Sequence, residues 1–302
     1  MKIRARAVLA GAALAAACIA GGTATAASGA TIPPFSERVH LFDYTPEPLT
    51  ITEVGVEHRL FSDVHDITFA PPGGTPVSAY LVVPTKARPP YAAVLFAHWL
   101  GPGSSRAEFL GEAVGLARHG VVSLLTQGDF PWSVDPVGGA QDTQEITSEV
   151  IKLRRGLDLL TARTDVDPSR IAFVGHDYGA MAGSIASAVD GRVSAEVLMA
   201  PDATYFDWFN TYWLGLEGAE ADAYDALLAP YDPIQYVGHA PAGGVLLQFS
   251  AHDQYIPAAT RDSIVAATSG PRTALVYPHA GHHLNGAARR DRDAWLTEKL
   301  GL

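Results

Sequence analysis

The segment over residues 173–181 constrains the fold of this chain more than any other. An apolar run at residues 171–175 leads into Gly-His-Asp-Tyr-Gly, centred on Asp177, and small residues follow. Glycines two positions before and two after Asp177 let a strand and a helix approach closely while the central residue adopts a strained backbone conformation. Because a helix N-terminus favours an anion, we expect a strand–turn–helix unit that holds Asp177 ionised and exposed to a substrate. The alternative is a tight turn in which Asp177 only caps the helix.

Strands and helices alternate on both sides of this unit. Apolar runs indicate strands buried on both faces, and apolar residues at helical spacing indicate amphipathic helices. The predicted strands span residues 64–69, 77–83, 92–98, 121–126, 171–175, 197–200, 245–250 and 273–277. The predicted helices span residues 105–120, 142–163, 178–189 and 287–300. The first two strands form a hairpin, and the first helix begins at Ser105 with Glu108 completing a capping box. The pattern predicts an α/β fold with a mixed, mainly parallel sheet and helices on both faces.

The start of the chain is typical of an export signal. Residues 1–26 combine early cations, an Ala-rich apolar run and a small-residue cleavage site ending at Ala26. We therefore expect a secreted protein, and we disfavour a lipid anchor on Cys18 because no large aliphatic residue precedes it closely. Residues 27–50 are predicted to be an irregular leader, and residues 51–302 a single α/β domain.

Composition excludes several classes of function. The formal net charge is −11, and an acidic surface disfavours binding to nucleic acid or to an anionic membrane. Cys18 is the only cysteine and lies within the predicted signal, so the mature chain would have no disulfide and no thiolate ligand. The sequence contains no dinucleotide fingerprint or phosphate loop, and the histidines at 279–283 lack partners at a metal-site spacing. We therefore expect no cofactor and no metal, and a small apolar substrate as the partner.

Two acids and a histidine cluster follow the later predicted strands. Asp253 comes after strand 245–250, and Asp202 comes after the strand before it. In parallel sheets such positions meet at the carboxyl edge, where active sites collect. His282 is the preferred base within the cluster at residues 279–283. We favour Asp253 over Asp202 as the acid that orients His282, because nucleophile, acid and histidine commonly follow in that order.

The loop after strand 92–98 lies where an oxyanion-hole amide is expected. Its residues include His98, Trp99 and Leu100, and the N–H of Tyr178 would be the second donor. The indole of Trp99 would either donate to a leaving anion or form an aromatic lid over the pocket.

An aromatic-rich segment, residues 202–236, is predicted to form a small helical cap over the pocket. Tyr205, Trp208 and Tyr212 are the candidate pocket residues within it, together with His98 from the oxyanion loop. The alternative is that most of these aromatic side chains pack the insert itself.

These residues resemble the α/β-hydrolase superfamily from the predicted hairpin to the C-terminus. Residues 231–233, 245–249, Asp253 and 280–282 are similar to the dienelactone-hydrolase-like group, whose secreted esterases carry serine or cysteine at the elbow. The Gly-His-Asp-Tyr-Gly elbow is instead similar to that of epoxide hydrolases and haloalkane dehalogenases, in which aspartate is the nucleophile. The loop at residues 98–100 departs from the His-Gly-x-Pro pattern usual in those enzymes.

The chemistry of a carboxylate separates three hypotheses. Attack of Asp177 on an ester carbonyl gives a mixed anhydride, from which the expelled alkoxide readily returns. Attack on a saturated carbon bearing a halide or a strained oxygen gives an alkyl ester, which water activated by His282 can hydrolyse. The leading prediction is therefore a hydrolase that forms an alkyl ester on Asp177 from an epoxide or a haloalkane. The alternatives are a carboxylic-ester hydrolase with Asp177 as base and a non-catalytic binder of an apolar ligand.

Overall fold

The computed structural model describes residues 31–70, 74–101 and 103–302, so the predicted export signal lies outside the described residues. The strands are β1 (Thr50–His58), β2 (Ser62–Ala70), β3 (Val77–Pro84), β4 (Tyr91–Ala97), β5 (Val121–Thr126), β6 (Val166–His176), β7 (Ala195–Met199), β8 (Val245–Ser250) and β9 (Arg272–Tyr277). The helices are α1 (Phe35–Arg38), α2 (Leu110–Ala117), α3 (Ala140–Thr161), α4 (Tyr178–Val189), α5 (Tyr205–Phe209), α6 (Gly218–Leu228), α7 (Ala258–Ala267) and α8 (Gly286–Leu300).

The nine strands form one mixed sheet in the order β1-β2-β3-β5-β4-β6-β7-β8-β9. Strands β1, β2 and β3 pair antiparallel, as do β3 and β5, and all other pairs from β4 to β9 are parallel. The predicted mixed, mainly parallel sheet is therefore confirmed, including the hairpin between β2 and β3. Strand β1 was not predicted because it is exposed along its whole length and so carries no buried apolar pattern.

Helices cover both faces of the sheet, as predicted. Alternate strand residues point to opposite faces, so Leu95 packs in one core layer and Phe96 in the other. The first layer includes α3, α4 and the segment between β7 and β8, whereas the second includes α2 and α8. The parallel strands are buried on both faces, which explains their continuous apolar runs.

The first helix of the domain is shorter than predicted. The sequence pattern predicts a start at Ser105 with Glu108 closing a capping box, but α2 begins at Leu110. The capping-box prediction is wrong because the Glu108 carboxylate accepts a hydrogen bond from the backbone N–H of Trp99 at 2.8 Å. The Glu108 carboxylate therefore binds a backbone N–H of the preceding loop and not one at the start of its own helix.

The segment between β7 and β8 is helical and lies above the carboxyl edge of the sheet. It contains α5, a π-helical turn (Asn210–Leu214) and α6, followed by short 3₁₀ turns. In the predicted leader, α1 and a 3₁₀ turn lead to Phe42, whose ring packs against Tyr231 and Tyr236 of this segment. Among the described helices, none has the length and apolar composition that a membrane crossing requires.

Candidate active site

The sharp turn between β6 and α4 holds Asp177 in an unusual backbone conformation, with φ of 56° and ψ of −121°. Non-glycine residues rarely adopt positive φ, and such strain is concentrated at functional sites. The flanking glycines have no room for a side chain. A Cβ on Gly175 would lie 2.7 Å from the Cα of Ala180, and one on Gly179 would lie 2.5 Å from the carbonyl oxygen of Ala97. The geometry matches the strand–turn–helix unit that the sequence predicts.

The structure brings together the three side chains predicted to form the catalytic group. Nδ1 of His282 lies 2.9 Å from Oδ1 of Asp253, and Nε2 lies 3.7 Å from Oδ1 of Asp177. Asp253 also accepts hydrogen bonds from the backbone N–H groups of Tyr255 and Ile256, at 2.9 and 3.1 Å. With Nδ1 of His282 directed at Asp253, its Nε2 faces Asp177. These two facing atoms have no hydrogen-bond partner among the described residues.

The two predicted oxyanion donors converge on Asp177 itself. The N–H of Leu100 donates to Oδ2 of Asp177 at 3.0 Å, and the N–H of Tyr178 acts to lower the pKa of the same carboxyl group. Trp99 instead directs its backbone N–H to Glu108, and its indole packs edge-on against His283 with ring centroids 4.2 Å apart. One carboxylate oxygen of Asp177 is therefore held by a backbone donor while the other faces His282.

The expectation that Asp177 is exposed is wrong. Its side chain is fully buried, and burial raises its pKa to about 7 despite the opposing effects of His282 and the two N–H donors. The helix N-terminus supplies donors, but it does not replace the water that folding removes. Burial acts in the same direction on Asp253, but the hydrogen bond and charge of His282 have a larger opposite effect. The pKa of Asp253 therefore lies below its usual value.

Asp202, the alternative acid, occupies the carboxyl end of β7 without contacting His282. Its Oδ1 accepts a hydrogen bond from the N–H of Ala203 at 2.6 Å. Burial raises the pKa of Asp202 to about 7, and its charge also contributes to the raised pKa of Asp177. The geometry therefore pairs His282 with Asp253, the acid that the sequence favours.

The candidate pocket residues lie in two different places. His98 lies behind the oxyanion loop, where its Nδ1 faces the carbonyl oxygen of Trp99 and its Nε2 accepts the N–H of Gly128 at 3.1 Å. Tyr205 is fully buried and packs on the ring of Tyr178, 5.5 Å away. Both side chains support the walls of the site, and neither lies at its opening.

An aromatic cluster formed by the cap and Tyr255 covers His282. Trp208 and Tyr212 pack together with ring centroids 4.7 Å apart, and both contact Tyr255. The ring of Tyr255 lies 4.8 Å from the ring of His282. Tyr255 was missed in the sequence, although its position two residues after Asp253 was a signal that could have identified it.

Solved structures share this architecture. An acetyl xylan esterase from a Paenibacillus species superposes with a TM-score of 0.70 at 17% identity, over 87% of this chain and 92% of that chain. An acetyl xylan esterase from a Thermoanaerobacterium species gives a TM-score of 0.68 at 13% identity, over 90% and 96%. The chain has the α/β-hydrolase fold. A provisionally named dienelactone hydrolase from Klebsiella pneumoniae is also similar, with a TM-score of 0.55 at 16% identity over 84% and 99%.

Proteins similar in sequence match only part of the chain. Two curated Mycobacterium tuberculosis proteins, from different strains and both described as uncharacterized, are 32% identical over 186 residues. The match covers 61% of this chain and spans 59% of the length of each relative. No model of a known protein family matches the chain.

Proposed function

We propose that this protein is a carboxylic-ester hydrolase in which Asp177 acts as a base toward water. The observation that carries the proposal is the buried pairing of Asp177 with His282, which Asp253 orients from the opposite side. A base is most effective when its pKa is near the working pH, and the pKa of Asp177 is raised to about 7. The names of the similar solved structures, two of them acetyl xylan esterases, favour an ester substrate with a short acyl group.

The proposed reaction proceeds without a covalent enzyme intermediate. Oδ1 of Asp177 takes a proton from a water held against His282, and the water oxygen bonds to the ester carbonyl carbon. The bond to the alcohol oxygen then breaks, and the proton returns from Asp177 to the leaving alkoxide. The N–H groups of Leu100 and Tyr178 stabilise the negative charge on the carbonyl oxygen, which requires that oxygen to displace Oδ2 of Asp177.

A direct test uses short p-nitrophenyl esters in ¹⁸O-labelled water. Over many turnovers the acid product should gain ¹⁸O, whereas the peptide containing Asp177 should gain none. Asp177→Asn should abolish turnover. Glu196→Gln is a matched control, because Glu196 is also a buried carboxyl with a raised pKa, about 8, but lies outside the site. Ester turnover that survives in Asp177→Asn would contradict the proposal.

A second candidate is an epoxide or haloalkane hydrolase that forms an alkyl ester on Asp177. The observation that favours it is that the Leu100 N–H already holds Oδ2 of Asp177 at 3.0 Å. Donors in that position would stabilise charge on the aspartate oxygen when water attacks its carboxyl carbon. This mechanism places ¹⁸O into Asp177 over many turnovers, and a His282→Gln variant should accumulate a mass adduct on the same peptide. The labelling experiment therefore separates the two candidates.

A further inference from the structure

A buried ion pair between Glu108 and His176 lies directly behind the candidate active site. His176 is fully buried, and its Nδ1 lies 2.6 Å from Oε1 of Glu108. Its Nε2 lies 3.1 Å from the backbone carbonyl oxygen of His282. The carbonyl oxygen of His282 can only accept, so Nε2 of His176 carries a hydrogen, and Nδ1 shares a short hydrogen bond with the Glu108 carboxyl group. His176 therefore links Glu108 to the backbone of the loop that carries His282.

The same pair joins the two loops that meet at Asp177. Oε2 of Glu108 accepts the N–H of Trp99 at 2.8 Å, and the next residue, Leu100, donates its N–H to Asp177. His176 binds the backbone of His282, and the two imidazole rings stack at 5.0 Å with an angle of 30° between their planes. One continuous set of hydrogen bonds thus runs from the loop at residues 98–100, through Glu108 and His176, to the loop that carries His282.

The electrostatics of the pair agree with this geometry. Burial raises the pKa of Glu108, but the charge and hydrogen bond of His176 and the N–H of Trp99 outweigh it, so the pKa lies below its usual value. Breaking a buried ion pair by removing one charge leaves the other uncompensated, which is strongly unfavourable. The pair therefore fixes both side chains in position.

We propose that Glu108 and His176 are positioning residues, which hold the Leu100 donor and the His282 ring in register across Asp177. This inference rests on the proposed hydrolase function. Neither residue reaches the reacting atoms, since the two nitrogens of His176 and the two oxygens of Glu108 are all engaged with protein groups. Their effect is exerted through loop placement, where displacement by about 1 Å costs on the order of 100-fold in rate.

The test compares Glu108→Gln with Glu112→Gln. Glu112 is a matched control because it also forms a buried ion pair from the same segment, with Arg292 at 2.9 Å, but does not contact the site. Glu108→Gln should lower kcat by about 10- to 100-fold while KM changes by less than about three-fold. Glu112→Gln should lower the melting temperature comparably and leave kcat per folded molecule unchanged. Equal kcat in the two variants would overturn the inference.

Nuclear magnetic resonance provides a measurement that does not depend on turnover. Glu108→Gln should shift the backbone amide signals of Leu100 and His282, because the hydrogen bonds that place both loops pass through Glu108. Glu112→Gln should leave both signals in place. Unshifted amides in Glu108→Gln would overturn the inference. Failure of the wild type to hydrolyse any ester would overturn only the proposed function, because these signals still test the positioning.

Discussion

Two carboxylates flank His282, and their environments shift their pKa values in opposite directions. The side chains of Asp177 and Asp253 are both buried, at 0% and 2% exposed. Burial raises the pKa of Asp177 to about 7, whereas for Asp253 it is outweighed and the pKa lies below its usual value. Asp253 is contacted by the protonated nitrogen of His282 at 2.9 Å, while Asp177 faces the other ring nitrogen at 3.7 Å. The hydrogen bonds and charge around Asp253 therefore outweigh its burial, whereas those around Asp177 do not.

The contrast assigns different work to the two groups. A carboxylate that stays ionised at all working pH values orients a histidine and stabilises its cation. A carboxylate that changes charge near neutral pH suits proton transfer. Pairs of titratable groups with diverging pKa values are typical of acid–base sites.

The largest expected effect comes from removing the base. Asp177→Asn should lower kcat by about 10³-fold or more, because an amide cannot take a proton from water. Initial rates on a short p-nitrophenyl ester, with Glu196→Gln as the control for a buried carboxyl, measure the effect. If Asp177→Asn keeps more than about a tenth of the wild-type rate, Asp177 is not the base that takes the proton from water.

Replacing the orienting acid should cost less. Asp253→Asn should lower kcat by about 10²-fold, because an amide can donate to Nδ1 of His282 and so place the hydrogen on Nε2, where it can no longer accept a hydrogen bond from the attacking water. The N–H groups of Tyr255 and Ile256 can still bind the amide oxygen, so the fold should persist. Steady-state rates and circular dichroism check both statements. A loss of kcat as large as that in Asp177→Asn would contradict the different roles assigned to Asp177 and Asp253.

The sequence predicts the sheet and the elbow well because both depend on local patterns. Buried strands leave continuous apolar runs, and the glycines at 175 and 179 follow from the close contacts of the turn. The chain order of Asp177, Asp253 and His282 then places all three at one edge of the sheet. Helix α7 was missed because only Ile264 of its ten residues is buried, which leaves almost no apolar face.

The electrostatics of the site could not be predicted in the same way. The burial of Asp177 depends on aromatic cover from a segment distant in sequence, and the sequence gives no distances. Glu108 illustrates the same limit, since its local pattern indicates a capping box while its partners, Trp99 and His176, lie on other elements. Local sequence patterns predict the element on which a side chain lies, and tertiary contacts decide what that side chain binds.

Stability should also respond to pH with opposite signs at the two carboxylates. The pKa of Asp177 is higher in the folded protein than in the unfolded chain, so ionisation of Asp177 destabilises the fold. This destabilisation is absent below the unfolded-state pKa of about 4 and is complete above about pH 7. Asp177→Asn should therefore stabilise the protein at pH 8 by up to about 4 kcal/mol, and this gain should vanish as the pH falls towards 4.

Asp253 should behave in the reverse sense. Its lowered pKa contributes stability above its unfolded value of about 4, and this contribution is lost as the pH falls through the folded value. Asp253→Asn should therefore destabilise the protein at pH 7 and have little effect under strongly acidic conditions. Denaturant unfolding at a series of pH values measures both variants, and the same sign for both at pH 8 would contradict the comparison.

The smallest expected effect tests how much of the raised pKa of Asp177 comes from a neighbouring charge. Burial is the main cause, and Asp202 makes a minor contribution that acts in the same direction while His282 and two backbone donors oppose it. If Asp177 acts as a base, the rate should rise with pH through about 7, and Asp202→Asn should move this rise to lower pH by a few tenths of a unit. The shift stays small because the pKa of Asp202 is itself about 7, so its charge is only partly present where Asp177 titrates. Glu196→Gln removes a buried carboxyl near the start of β7 that does not contribute to the pKa of Asp177, so it should leave the profile unchanged. An unmoved profile in Asp202→Asn would assign the difference between Asp177 and Asp253 to burial and hydrogen bonding alone, whereas a shift above about one unit would mean that Asp177 and Asp202 titrate as a coupled pair.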